Sequence, residues 1–144
     1  MQEPRRGAGR GPMALPPMTR WECRALDEDE VRAFDLVAPG TARRARLVSV
    51  PLLAPGASGM TLGRWVLLRQ GHERRPELVA HELVHVEQFA DLRWRPFLWA
   101  YLRSYGSHRL LGLAHRAAYL AIPAEREARA RTAEWSAAHT PDSR

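Results

Sequence analysis

His81-Glu82-Leu83-Val84-His85 spells H-E-x-x-H, and no other stretch of the chain has residue types and spacing so suited to chemistry. An α-helix advances about 100° per residue, so side chains four apart stand one above the other on the same face. Two imidazoles placed this way reach one cation at about 2.0–2.1 Å without bending the backbone. Glu82 flanks the pair instead of joining it, which is where a general base working on metal-bound water stands. These three residues predict zinc-dependent hydrolysis, with peptide bonds as the leading substrate.

The element that must carry them is legible on either side. Pro76-Glu77 places proline at a first helical position and glutamate in the first turn, a helix-start signature. Leu78, Val79, Leu83, Val86, Phe89 and Ala90 surround the polar triplet, so the spacing predicts a largely buried helix over residues 76–91. Two histidines and a glutamate buried without partners would cost several kcal/mol, and a metal is the partner that removes the cost. A surface helix with solvated histidines is the plainer alternative, and the apolar flanks argue against it.

Catalytic zinc takes three protein ligands and leaves one position for water. The chain after His85 lacks H-x-x-G-x-x-H, and the remaining histidines are 72, 108, 115 and 139. Glu87 and Asp91 share the motif helix but point away from the ligand face. A last helix starting at Pro123 is the better source. Its stripe of Ala124, Ala128, Arg131 and Trp135 leaves Glu125 on one flank and Glu127 on the other, about 200° apart. Only one of the two can face the metal, and periodicity leaves both open.

H-E-L-V-H-V-E-Q, followed about 40 residues later by I-P-A-E-R-E-A-R, resembles small gluzincin metallopeptidases. It is especially similar to the minimal, mostly bacterial H-E-x-x-H domains of unknown function, and more distantly to HtpX-like peptidases. In the latter an E-x-E-A-D helix supplies the third ligand from its first glutamate, so the resemblance implies that Glu125 is the ligand here. The aspartate of that pattern corresponds to Arg129, which cannot accept a hydrogen bond from a ligand histidine. Support for the imidazoles must then come from another residue. The resemblance also implies that the strand before the metal-binding helix, residues 60–69, is a sheet edge able to hold an extended peptide, with an ordinary half-buried strand as the alternative.

Other residues admit two readings each. His115 and Tyr119, four apart on one helix, could steady an oxyanion or make a structural hydrogen bond. Gln88, one turn beyond His85, could bond a ligand imidazole or cap buried backbone. Trp65, Trp94, Trp99 and Trp135 are core or groove-lining candidates.

At 144 residues the chain has room for one small core. Residues 1–18, rich in proline, glycine and arginine, read as a disordered arm; 19–138 as a single domain; 139–144 as a flexible tail. The elements expected are a helix over 27–38 stopped by Pro39-Gly40, a strand over 46–53 with Pro51 marking an edge, and a strand over 60–69. After the motif helix come helical segments over 94–105 and 108–121 and the last helix from Pro123. Strands before helices predict an α+β fold, a small antiparallel sheet packed on a helical, zincin-like core.

Composition narrows the classes further. The single cysteine, Cys23, excludes an intramolecular disulfide and a cysteine-based zinc site, and reads as a packing residue. All 22 basic residues are arginine, but charge alternates along the chain: acidic over 21–40 and 76–95, basic over 41–75 and 96–122. Without a clustered patch or a recognisable module, specific nucleic-acid binding is not expected. No apolar run reaches the roughly 18 residues of a membrane span. No secretory signal is indicated, so a cytoplasmic setting is the default expectation. A catalytically inactive, zinc-stabilised interaction module is the rival from another class.

Overall fold

The computed structural model describes residues 13–53, 55–96 and 123–140. The fold is α+β: four helices and a four-stranded mixed sheet among the described residues. In chain order come β1 (Cys23–Arg24), α1 (Glu28–Ala33), α2 (Pro39–Arg44), β2 (Arg46–Val50), β3 (Gly59–Leu62), β4 (Trp65–Arg69), α3 (Pro76–Ala90) and α4 (Pro123–His139). Among them no helix is long and apolar enough to cross a membrane. The helices expected over 94–105 and 108–121 fall largely outside the described residues, with His115, Tyr119 and Trp99.

The acidic segment forms two short helices instead of one. Asp27 caps α1 by accepting from the Glu30 amide at 2.8 Å, while the Glu30 carboxylate accepts from the Asp27 amide at 2.8 Å. This reciprocal pair is a capping box. Pro39, expected as a stop, is instead the first residue of α2. Its fixed φ suits a first turn, whose N–H groups have no helical partner in any case.

The sheet runs β1-β2-β4-β3, with β1–β2 and β3–β4 antiparallel but β2–β4 parallel. The strand expected over 60–69 is in fact a hairpin, which corrects the all-antiparallel expectation. Gly63 turns the chain at φ 63°, a left-handed conformation that glycine adopts without a Cβ clash. The reversal leaves β3 at the edge and folds β4 back between β3 and β2. Because β4 reverses β3, it runs in the direction of β2. Pro51 likewise lies just past β2, a central strand, and does not mark an edge.

The inner face of the sheet presents Leu47, Ser49, Thr61, Val66 and Leu68, all buried. Against it packs α3, through Val79, Ala80, Leu83 and Val84, none of them measurably exposed. On its other side α3 packs on α4, which contributes Ala128 and Trp135 to the same core. Trp135 stacks on Phe34 at 5.4 Å and donates its indole N–H to the Ala33 carbonyl at 2.9 Å, closing α4 onto α1. Each such large apolar side chain contributes about 1.5–3 kcal/mol. Leu15 and Met18, assigned to the arm, are buried in this core. Cys23, expected to pack, is exposed.

Candidate metal centre

The motif helix forms as its sequence predicts, with Pro76 in the first turn and fifteen residues to Ala90. Its pitch brings His81 and His85 into register, their rings crossing nearly at right angles with centroids 4.9 Å apart. The two Nε2 atoms converge to 3.2 Å. α4 supplies the third group. Glu125, in its first turn and 3% exposed, straddles the imidazoles: Oε1 lies 2.8 Å from His81 Nε2 and Oε2 3.0 Å from His85 Nε2. Backbone amides at a helix start favour a carboxylate there.

Three donor atoms around a tetrahedral centre with bonds of about 2.0–2.1 Å stand about 3.3 Å apart. The two Nε2 atoms are 3.2 Å apart and lie 2.8 and 3.0 Å from the two different oxygens of Glu125, so the donor atoms sit in the same range. Among the described residues, His81, His85 and Glu125 form a buried cluster that could hold a metal ion. Two nitrogens and one carboxylate suit zinc or another borderline divalent metal.

The charges at the site support one another. Burial works against ionisation of Glu125, but hydrogen bonds from both histidines outweigh it and hold the carboxyl far below the usual range. Burial likewise pulls the His85 imidazole down. The bond to Glu125, the charges of Glu82 and Glu125, and the bond to Gln88 together set it above the ordinary value. A centre that draws a proton onto an imidazole also attracts a metal cation.

Glu82 faces the sheet, 5% exposed. The Thr61 hydroxyl lies 2.7 Å from its Oε2 and 3.1 Å from its backbone carbonyl, both acceptors. Gly59 fits so tightly that a Cβ there would come within 2.8 Å of Glu82 Oε1. Thr61 and Gly59 were not singled out in the sequence. Nothing local links a strand residue to a helix residue 21 positions later.

Gln88 fills both of its expected roles. Its side chain contacts His85 Nδ1 at 2.8 Å, the Ala124 carbonyl at 2.9 Å and Glu127 Oε2 at 3.1 Å. Glu127, the other ligand candidate, is therefore turned away from the imidazoles towards Gln88 and Arg131. Arg129 lies 3.3 Å from Glu125 Oε1 through its Nε and contacts that carboxylate rather than a histidine. Glu87 leaves the ligand face as expected, accepting from the Ala38 amide at 3.1 Å and pairing with Arg131 at 2.6 Å. Of the tryptophans, Trp135 is buried and Trp65 is 40% exposed.

Comparison with family models, with curated proteins and with solved structures found no match to this chain.

Proposed function

We propose that the chain is a zinc-dependent hydrolase that cleaves peptide bonds, with zinc held by His81, His85 and Glu125 and with Glu82 as general base. The observation carrying this reading is the convergence of both Nε2 atoms and the Glu125 carboxylate within 3.2 Å, with a buried glutamate next to a ligand on the same helix. When bound at two imidazoles and one carboxylate, zinc acidifies a water molecule and polarises a carbonyl oxygen.

The chain's own groups do the rest. Glu82 takes the water proton and returns it to the leaving amine, as a positioned carboxylate does in general acid–base catalysis. Thr61 occupies Oε2, so Oε1 is the atom left to carry that proton. β3, an edge strand touching Glu82 through Gly59 and Thr61, offers main-chain groups to an extended peptide, which favours a peptide substrate.

A second reading, a zinc-stabilised interaction module without turnover, is favoured by Arg129. A guanidinium 3.3 Å from the ligand carboxylate competes for its charge and weakens it as a donor. Glu82→Gln separates the two readings. For a hydrolase, cleavage of a peptide library falls to background while zinc content stays at one per chain. Undiminished cleavage in that variant would remove Glu82 from the mechanism. A wild-type protein that holds zinc and cleaves nothing would leave the module.

A further inference from the structure

We propose that β3 reads a peptide in one register: the main chain of Gly59 and Thr61 pairs with it, while Met60 and Leu62 select two apolar side chains separated by one residue. This rests on the hydrolase reading and adds to it which features of a substrate are recognised. The hydrogen-bond pattern of the hairpin carries it. In an antiparallel pair, facing residues alternate between those that exchange main-chain bonds and those that exchange none. The Arg69 amide donates to the Ser58 carbonyl at 2.9 Å. The register sets Gly59 against Leu68, Met60 against Leu67, Thr61 against Val66 and Leu62 against Trp65. Counting on from Ser58 and Arg69, Met60 and Leu62 bond to β4 and Gly59 and Thr61 do not.

The N–H and C=O groups of Gly59 and Thr61 therefore point away from β4, to the edge of the sheet. Among the described residues no strand lies beyond that edge. The same two residues touch Glu82. The Thr61 hydroxyl lies 2.7 Å from Oε2, and Gly59 packs so closely that an added Cβ would lie 2.8 Å from Oε1. A strand added to β3 thus makes its main-chain bonds beside the buried carboxylate, which fixes its register relative to that group.

Side chains alternate along a strand, so Thr61 facing Glu82 puts Met60 and Leu62 on the opposite face. There Met60 is half-buried and Leu62 is 39% exposed, with Trp65 opposite it 40% exposed. A bound strand obeys the same alternation. Two of its side chains, separated by one residue, come to lie beside Met60 and Leu62 and remove apolar surface from water. The residue between them faces the Glu82 side. The edge therefore favours apolar–any–apolar over an equally extended polar peptide. This holds whichever way the peptide runs, because alternation is common to parallel and antiparallel strands.

Two measurements test it. The first needs no turnover: amide hydrogen exchange of the full chain, followed by 15N NMR with a chelator present and a capped hexapeptide alternating leucine and serine as probe. Exchange should slow at Gly59 and Thr61, and an all-serine hexapeptide should not slow it. The second is cleavage of a peptide library by the zinc-loaded chain, which should enrich apolar residues at two positions separated by one. Leu62→Arg should turn the preference at one of these positions from apolar to acidic, and Met60→Arg at the other. Each should lower kcat/KM on apolar peptides about tenfold, through KM. A merely structural role for the two side chains would depress all peptides alike. Slowed exchange without cleavage would overturn the hydrolase reading and leave the register standing. Cleavage with exchange unchanged at Gly59 and Thr61, or a preference that neither arginine variant moves, would overturn the register and leave the hydrolase. A chain that neither cuts nor protects would overturn both.

Discussion

The two sides of α3 hold their functional groups by different means. Towards the sheet, Glu82 is held by one hydroxyl hydrogen bond to Oε2 and by close packing on a glycine whose added Cβ would lie 2.8 Å from Oε1. Towards α4, the histidines are held electrostatically, by Glu125 directly and by Gln88, Glu127 and Arg131 behind it. A group that shuttles a proton needs a fixed position and desolvation. Groups that hold a dication need charge and a defined tautomer. Damage to either side should therefore impair one function and spare the other.

The largest separation is expected from Glu125→Ala. Removing a ligand should weaken zinc binding by more than the roughly 100-fold upper range for orienting residues, as read by metal content after dialysis. Retention of zinc in that variant would break the assignment of α4 as the ligand source.

Acid should attack the same side. A metal held there would need a neutral His85, whose pKa is raised. Protons therefore begin to compete at a higher pH than for a free imidazole of about 6.5, and the competition grows as pH falls. Each further unit should cost about tenfold in affinity per displaced proton. Zinc titrations between pH 5 and 9 (roughly the window around that value) would show an onset below 6.5 if the electrostatic description were wrong.

On the sheet side, Gly59→Ala should reverse the pattern. A Cβ 2.8 Å from Glu82 Oε1 displaces the carboxylate or the strand, at a cost of about 1–3 kcal/mol of stability. Peptide cleavage should drop at least about tenfold, in line with the sensitivity of catalysis to misplaced groups, with zinc affinity unchanged. Thr61→Val should act in the same direction more mildly. It leaves a buried carboxylate oxygen short of a donor at about 1–3 kcal/mol, measurable by denaturant unfolding. Zinc loss in either variant would show that the two sides are coupled.

Arg129→Ala should do least. The guanidinium is half exposed and its contact is long, so removing the competing cation should raise zinc affinity by at most about fivefold. A marked fall would mean that Arg129 supports Glu125 instead of competing with it.

The contrast also explains how much could be read in advance. His81, Glu82 and His85 were legible because helix pitch alone aligns residues four apart, and Pro76 and the apolar flanks announce that helix. The capping box of α1 was not drawn out of Asp27 and Glu30, although its spacing is equally local. Gly63 was passed over inside an apolar run, so one long strand was expected where a hairpin forms. That single residue turned an antiparallel sheet into a mixed one.

The sequence by itself determined the imidazole pair, the adjacent glutamate and the α+β class, since each follows from periodicities along one element. Only the tertiary structure decided between Glu125 and Glu127. They sit on opposite flanks of one stripe, and the choice depends on how α4 is rotated against α3. The Trp135 contacts with Phe34 and Ala33 and the Arg131 pair with Glu87 hold that rotation, and they join residues far apart along the chain. Thr61 and Gly59 met Glu82 for the same reason: contact between a strand and a helix is set by packing, and no local pattern encodes it.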